Sequence, residues 1–176
     1  MATATEYAGA AAGTLWVLPE QANADDGLDA TYVIAAKNTT GNENVLSAFG
    51  FDSSIPVGAT ISQVDLEVEH WVSTTGGIAH LESAVRTGGT TGTFNTDSTE
   101  PTTATAVAYT SVAKPGGGSW TRNDLLDATF EVRLRARSGN NATSVTYHWD
   151  YARVKVTYTT SKPAVYMNEY RRRRVA

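Results

Sequence analysis

From Gln63 to Val72 the chain alternates without a break. Val64, Leu66, Val68, His70 and Val72 point one way, and Gln63, Asp65, Glu67, Glu69 and Trp71 point the other. A period of two over that length is a half-buried β-strand, with one face on a core and one in water. The run Ile55-Pro-Val-Gly-Ala59 comes just before it. Pro56 fixes φ and Gly58 can take a positive φ, so the chain reverses before the strand begins.

The other segments are read against that strand. Residues 1–13 are mostly Ala, Thr and Gly, which offer little apolar area, and read as an extended arm. Leu15 to Leu18, ahead of Pro19, reads as a first short strand, because proline cannot continue a ladder. Strands are also expected over Ala30–Ala36, Val45–Phe51, Ile78–Arg86 and Ala106–Val112. Gly76-Gly77 is expected to make a hairpin turn between the long strand and its successor. From Thr87 to Thr105 the chain is a polar loop anchored by Phe94 alone. The one helical signal is Thr121 ahead of Arg122–Asp127, with Asp124 completing a capping box. Two strands follow. In the first, Phe130, Val132, Leu134 and Ala136 alternate with Glu131, Arg133, Arg135 and Arg137, and Ser138 to Asn141 turns the chain. In the last, Val145–Tyr158, the inward set changes phase, from Val145, Tyr147, Trp149 and Tyr151 to Val154, Val156 and Tyr158. That predicts a one-residue bulge near Ala152, or burial of both faces. The reading is an all-β, antiparallel, jelly-roll-like sandwich with one short helix and extended terminal arms. Its boundaries are an arm over 1–13, the sandwich over 14–160 and a C-terminal arm over 161–176.

A chain of 176 residues is sized for one domain, burying about two thirds of its unfolded surface. It has no cysteine, which excludes disulfides, thiolate metal sites and a cysteine nucleophile. No apolar run reaches the roughly 20 residues of a membrane span, so no membrane partner is expected. The first residues lack the basic start and apolar core of a secretory signal, so synthesis in a cytoplasm is expected. The net charge is −4, from 14 basic and 18 acidic residues. Removing Arg171, Arg172, Arg173 and Arg174 leaves 10 minus 18, or −8, an acidic body with a compact cationic tail. An acidic body argues against the broad basic face of a non-specific nucleic-acid binder, so nucleic acid is not expected as a partner.

Catalytic chemistry has no positive signal. His70, His80 and His148 lie on expected strands; His70 and His148 could meet at one end of the sandwich, but a metal needs a third ligand that the sequence does not supply. Asp25, Asp26 and Asp29 around Gly27 invite calcium, yet the spacing is no EF-hand and the same residues favour a solvated turn. Glu67 and Glu69 share a strand face, as a glycosidase pair would need, but alternate with core residues, so a solvated outer face accounts for them. There is no Gly-x-Ser-x-Gly elbow. The chain is expected to be no enzyme, with no cofactor and no metal. Trp71, outward among polar neighbours, is the candidate for stacking on a sugar ring, against the alternative that large aromatics fill a core or an interface. Tyr166 and Tyr170, beside Arg171 to Arg174, are the candidates for docking on a partner's acidic surface.

Phe49-Gly-Phe51 with Ile55 to Ile61 and Val64 to Val68, then Trp120 to Leu125 with Phe130 to Leu134, then Trp149 to Tyr158 form a series. It resembles the small β-sandwich virion proteins of tailed bacteriophages, including capsid decoration (cement) proteins and related head or tail accessory proteins. The likeness spans about residues 14 to 158 and consists of strand and turn elements, leaving both tails outside. It implies a structural protein on the outer surface of the head, holding the shell together by contacts with the major capsid protein, commonly as a homotrimer. The other reading kept open is a carbohydrate-binding module of a phage tail or fibre.

Overall fold

The computed structural model describes residues 1–75, 79–140 and 144–160. In chain order its strands are β1 (Ala2–Tyr7), β2 (Ala10–Gly13), β3 (Ala30–Ile34), β4 (Asn44–Ser47), β5 (Ala59–Val72), β6 (Ala79–Thr87), β7 (Thr90–Thr91), β8 (Asn95–Asp97), β9 (Thr105–Tyr109), β10 (Glu131–Ser138) and β11 (Val145–Thr160). Helix α1 (Phe51–Ser54) precedes β5, and α2 (Arg122–Leu126) precedes β10. The strands form two antiparallel sheets. Sheet A runs β1-β11-β5-β9, with β3 beside β1 on the same edge of β11; sheet B runs β2-β4-β10-β6-β7, with β8 also on β6. The chain is an all-β sandwich.

Strand β5 has the expected pattern. Val64, Leu66, Val68 and Val72 are fully buried and their intervening neighbours are partly exposed. Its partner β11 is antiparallel to it over nearly its whole length; one register shift falls near the end, between Thr157 and Tyr158, and the other between Trp149 and Tyr151. Asp150 is therefore the extra residue. The bulge sits two residues before the expected Ala152, and it produces the phase change: Val145, Tyr147 and Trp149 face inward before it, and Ala152, Val154 and Val156 after it. Tyr151 belongs to the outer set, against expectation. It is nevertheless buried, because Tyr7 packs edge-on against it at 5.8 Å.

Apart from β6 to β8, consecutive strands switch sheets. β5 lies in sheet A and β6 in sheet B, so the connection through Gly76-Gly77 joins the two layers and closes no hairpin. Gly76, Gly77 and Ile78 lie outside the described residues, as do residues 141–143 of the expected turn after Ser138. The arm expected over residues 1–13 is extended but not free. Ala2–Tyr7 pairs residue for residue with Tyr158–Arg153, and Ala10–Gly13 adds an edge to sheet B. Small side chains make this possible, since Ala4 and Ala8 fit under the sheet rim with little exposure. Leu15–Leu18 is no strand. Trp16 turns inward onto Trp149 and Tyr32, at 5.0 and 5.4 Å, and its indole donates to the Asn42 carbonyl; Pro19–Ala22 then forms a 3-10 turn. The expected strand over Val45–Phe51 stops at Ser47, because Ala48 and Gly50 take positive φ and steer Phe51 into α1.

Phe49, Phe51, Trp120 and Phe130 meet at one end of the sandwich. Phe49, Phe51 and Trp120 each pack against Phe130, at 5.5, 5.9 and 6.2 Å. Arg122, at the start of α2, donates to the carbonyls of Ile55 and Asp52 and so ties α2 to α1. The capping box at Thr121 and Asp124 is formed. Truncating Trp149 to Ala should cost about 3–5 kcal/mol in urea unfolding. Deleting Asp150 should do more, because losing the bulge residue turns Val145, Tyr147 and Trp149 to the solvent face. Asp150→Ala, which keeps the register, should leave a cooperative unfolding transition where the deletion leaves none.

Candidate functional site

Register places a row of side chains on the outer face of sheet A. His148 on β11 stands opposite Trp71 on β5 and opposite Thr31 on β3, and Thr31 is bridged in turn to Val17. Trp71 and His148 stack face to face, 3.5 Å between ring centroids and 12° between planes. Rings stacked across neighbouring strands stand upright on the sheet, so His148 covers one face of the indole. Asp29 holds both: its Oδ2 accepts from Trp71 Nε1 at 3.1 Å and lies 3.2 Å from His148 Nδ1. Burial pulls the His148 pKa below its ordinary value, and Asp29 pulls it back up in part.

The carboxylates around this stack have structural work. Asp150 is buried at the bulge and accepts from the backbone N–H groups of Asp26 and Gly27, which fastens the Asp25–Asp29 loop over the sheet. Asp26 caps Leu28 N–H. Of the three carboxylates read as a calcium loop, Asp26 and Asp29 thus hold a backbone amide and the ring pair, and no group of His, Asp or Glu among the described residues is arranged to hold a metal. Crowding shows in the proton affinities. The pKa of Glu69 is raised by burial and by Asp150, Asp25, Asp29 and Glu67, and that of Asp150 is raised by burial against its two amide donors. Glu67 accepts from Tyr151 at 2.7 Å and pairs with Arg153 at 2.6 Å, while Arg153 donates to Tyr7. Beyond this knot a shallow depression of about 440 Å³ continues along the sheet between Thr5, Asp65, Glu67, Ala108, Arg153 and Lys155.

The margin of the same face is apolar. Leu15 is 75% exposed, and Val17, Leu18 and Val33 are each more than half exposed. Val17 stands across from Thr31, and Val33 follows two residues on along the same face of β3. Leu15 and Leu18 have φ of 66° and 50°, the left-handed region. For residues without glycine's freedom this costs about 1–2 kcal/mol each. The inward drive of Trp16 between them explains the backbone; it does not explain why the strained positions carry leucine.

The remaining histidines do other things. His70 faces the core, on the opposite side of sheet A from His148, so the two do not meet. Its Nε2 lies 2.8 Å from Asp97 Oδ2, both groups buried, and its Nδ1 has no hydrogen-bond partner. The His–Asp pair joins β5 to β8. It fastens the 87–105 loop, whose β7 and β8 were not foreseen, onto the sandwich. Phe94 anchors that loop on the outside, under the guanidinium of Arg135 at 3.6 Å. The outward arginines of β10 are paired as well: Arg135 and Arg137 share the buried Glu82, and Arg133 lies between Glu131 and Glu43. Tyr166, Tyr170 and Arg171 to Arg174 lie outside the described residues. Sequence reasoning found Trp71 outward but missed His148, Asp29 and Asp150 beside it, since no local pattern links residues so far apart in the chain.

No protein-family model matches this chain, and no curated protein matches it. Solved structures do. One, described as "CBM4 structure and function", is 14% identical with a TM-score of 0.44, the alignment covering 90% of this chain and 94% of that one. Another, a xylanase 10C variant from Cellvibrio japonicus in complex with xylopentaose, is 12% identical with a TM-score of 0.39, covering 93% of this chain and 28% of that one. The present chain therefore spans little more than a quarter of the xylanase. The fold assignment rests on the two sheets themselves.

Burial holds the His70 pKa below its ordinary value of 6.5, despite the opposing pull of Asp97. A group of this kind binds its proton more readily when unfolded, so its contribution is complete above 6.5 and is lost as the pH falls through the lowered folded value. His80 and His148 are shifted the same way; Glu69 and Asp150 act in the opposite sense. Thermal unfolding should therefore show Tm falling between pH 7 and pH 5, with a shallower fall in His70→Gln. An equal slope in parent and variant would assign the loss to other groups.

Proposed function

We propose that this chain is a structural, non-catalytic component of a tailed-phage particle, a decoration protein that seats on the outer surface of the head shell and stabilises it. The observation that carries the reading is the exposed margin of Leu15, Val17, Leu18 and Val33, two of whose members are held in left-handed backbone. Apolar surface kept exposed at a conformational cost is surface meant to be covered by a partner. The resemblance of the Phe49 to Val68, Trp120 to Leu134 and Trp149 to Tyr158 segments to virion sandwich proteins supports the same reading. A protein of this kind needs only a modest interface per copy, because the shell repeats it many times. Purified chain, mixed with undecorated shells of the major capsid protein encoded in the same genome, should co-sediment with them and raise their temperature of disruption. If the intact chain neither binds nor stabilises the shells, the decoration reading fails.

A second reading, carbohydrate recognition as part of a phage tail or fibre, is favoured by the Trp71–His148–Asp29 cluster. A partly exposed indole fixed by a carboxylate, with hydroxyl acceptors and donors along the adjoining depression, suits a sugar ring and its hydroxyls. Under this reading a glycan array gives reproducible binding, and Trp71→Ala weakens it by about tenfold or more, equivalent to about 1.4 kcal/mol. An array without binders removes it.

A further inference from the structure

We infer that the apolar margin of one copy is the docking site for residues 161–176 of a second copy. The inference deepens the assembly reading, on which it rests, by naming what covers the exposed surface first. Beside the apolar margin the chain carries the exposed acidic residues Glu20, Asp25 and Asp26, with Leu28 exposed among them. Residues 161–176 have the complementary order: Val165, Tyr166 and Met167, then Tyr170, then Arg171 to Arg174. An apolar stretch followed by four cations matches an apolar surface bordered by carboxylates.

Distance decides that the segment comes from another molecule. The margin sits across Thr31 from His148 on β11, and the described chain ends at Thr160, beside Ala59 at the far end of the same strand. From His148 to Thr160 a strand rises about 40 Å. Val165 to Met167 lie five to seven residues beyond Thr160, a reach of at most about 25 Å even fully extended. They cannot return to their own margin. In a neighbouring copy the same residues meet no such limit, and the contact is heterologous, with the tail of one copy on the face of the next, which closes into a ring when the rotation allows it. A docking place in the same molecule would have to lie near Thr160, where the groove between α1 and α2, lined by Phe49, Asp52, Leu126 and Asp127, is the alternative.

The test uses the full chain, a form ending at Thr160, and a synthetic peptide of residues 161–176. Light scattering should show the full chain self-associating with concentration and the shortened form monomeric. The peptide should bind the shortened form, more weakly as salt rises. The discriminating variant is Leu15→Gly with Leu18→Gly, because glycine relieves the left-handed backbone. It should keep or raise Tm in the shortened form while weakening peptide binding at least about tenfold. Peptide binding unchanged in the double variant overturns the proposal. So does a full chain that stays monomeric at every concentration, the result expected if the segment docks in the α1–α2 groove of its own molecule. Self-association is read with no shell present. Failure to bind shells by a chain that does self-associate through this margin would count against decoration alone.

Discussion

The pairing of β5 with β11 is the contact on which the rest of this sandwich depends. β11 is the common neighbour of β1, β3 and β5, so three segments widely separated in sequence belong to one sheet only through it. A single inserted residue, Asp150, lets that long ladder serve two surfaces. Before it the strand presents Tyr147 and Trp149 to the core under Trp16, and after it the strand presents Val154 and Val156. The bulge also leaves a carboxylate at the one place where a loop must be fastened across the gap between β1 and β3. One local irregularity thereby sets the core register and positions Asp29 against Trp71 and His148.

Several of the charged groups drawn into the sheets are occupied in holding the sandwich together. Asp97 satisfies a buried histidine, Asp150 two backbone amides, Asp29 an indole and an imidazole, and Glu82 two arginines. Each buried polar group that finds a partner avoids a desolvation cost of about 1–3 kcal/mol. Beside these pairings stand the exposed leucines and valines at the margin of sheet A, the surface that the proposed assembly would cover.

The fold was legible where side chains alternate in size and polarity. Val64 to Val72 and Phe130 to Arg137 announce their inner and outer faces residue by residue, and Thr121 with Asp124 announces α2. The phase change in the last strand was legible too, though its position was not, because Tyr151 is an outer residue buried by a neighbour from the first strand. The N-terminal strand was missed because alanine and threonine carry little hydrophobic signal while their backbone still pairs. Leu15 to Leu18 misled because a run of large apolar residues resembles a strand even when only Trp16 goes inside. The candidate surface was legible at one residue, Trp71. His148, Asp29 and Val17 join it through strand register, which depends on the whole sheet and leaves no mark in local composition.

The placement of β11 also has a consequence in time. The strand that joins β1, β3 and β5 is the last of the described strands to leave the ribosome, so until then β1 and β3 have no sheet to enter and β5 has only β9. Ala2 waits for Tyr158. Assembly of sheet A is therefore a late and concerted event dominated by distant contacts, of the kind that makes folding slow, on the order of milliseconds to seconds. Until it happens, the nascent chain carries its apolar strand faces uncovered.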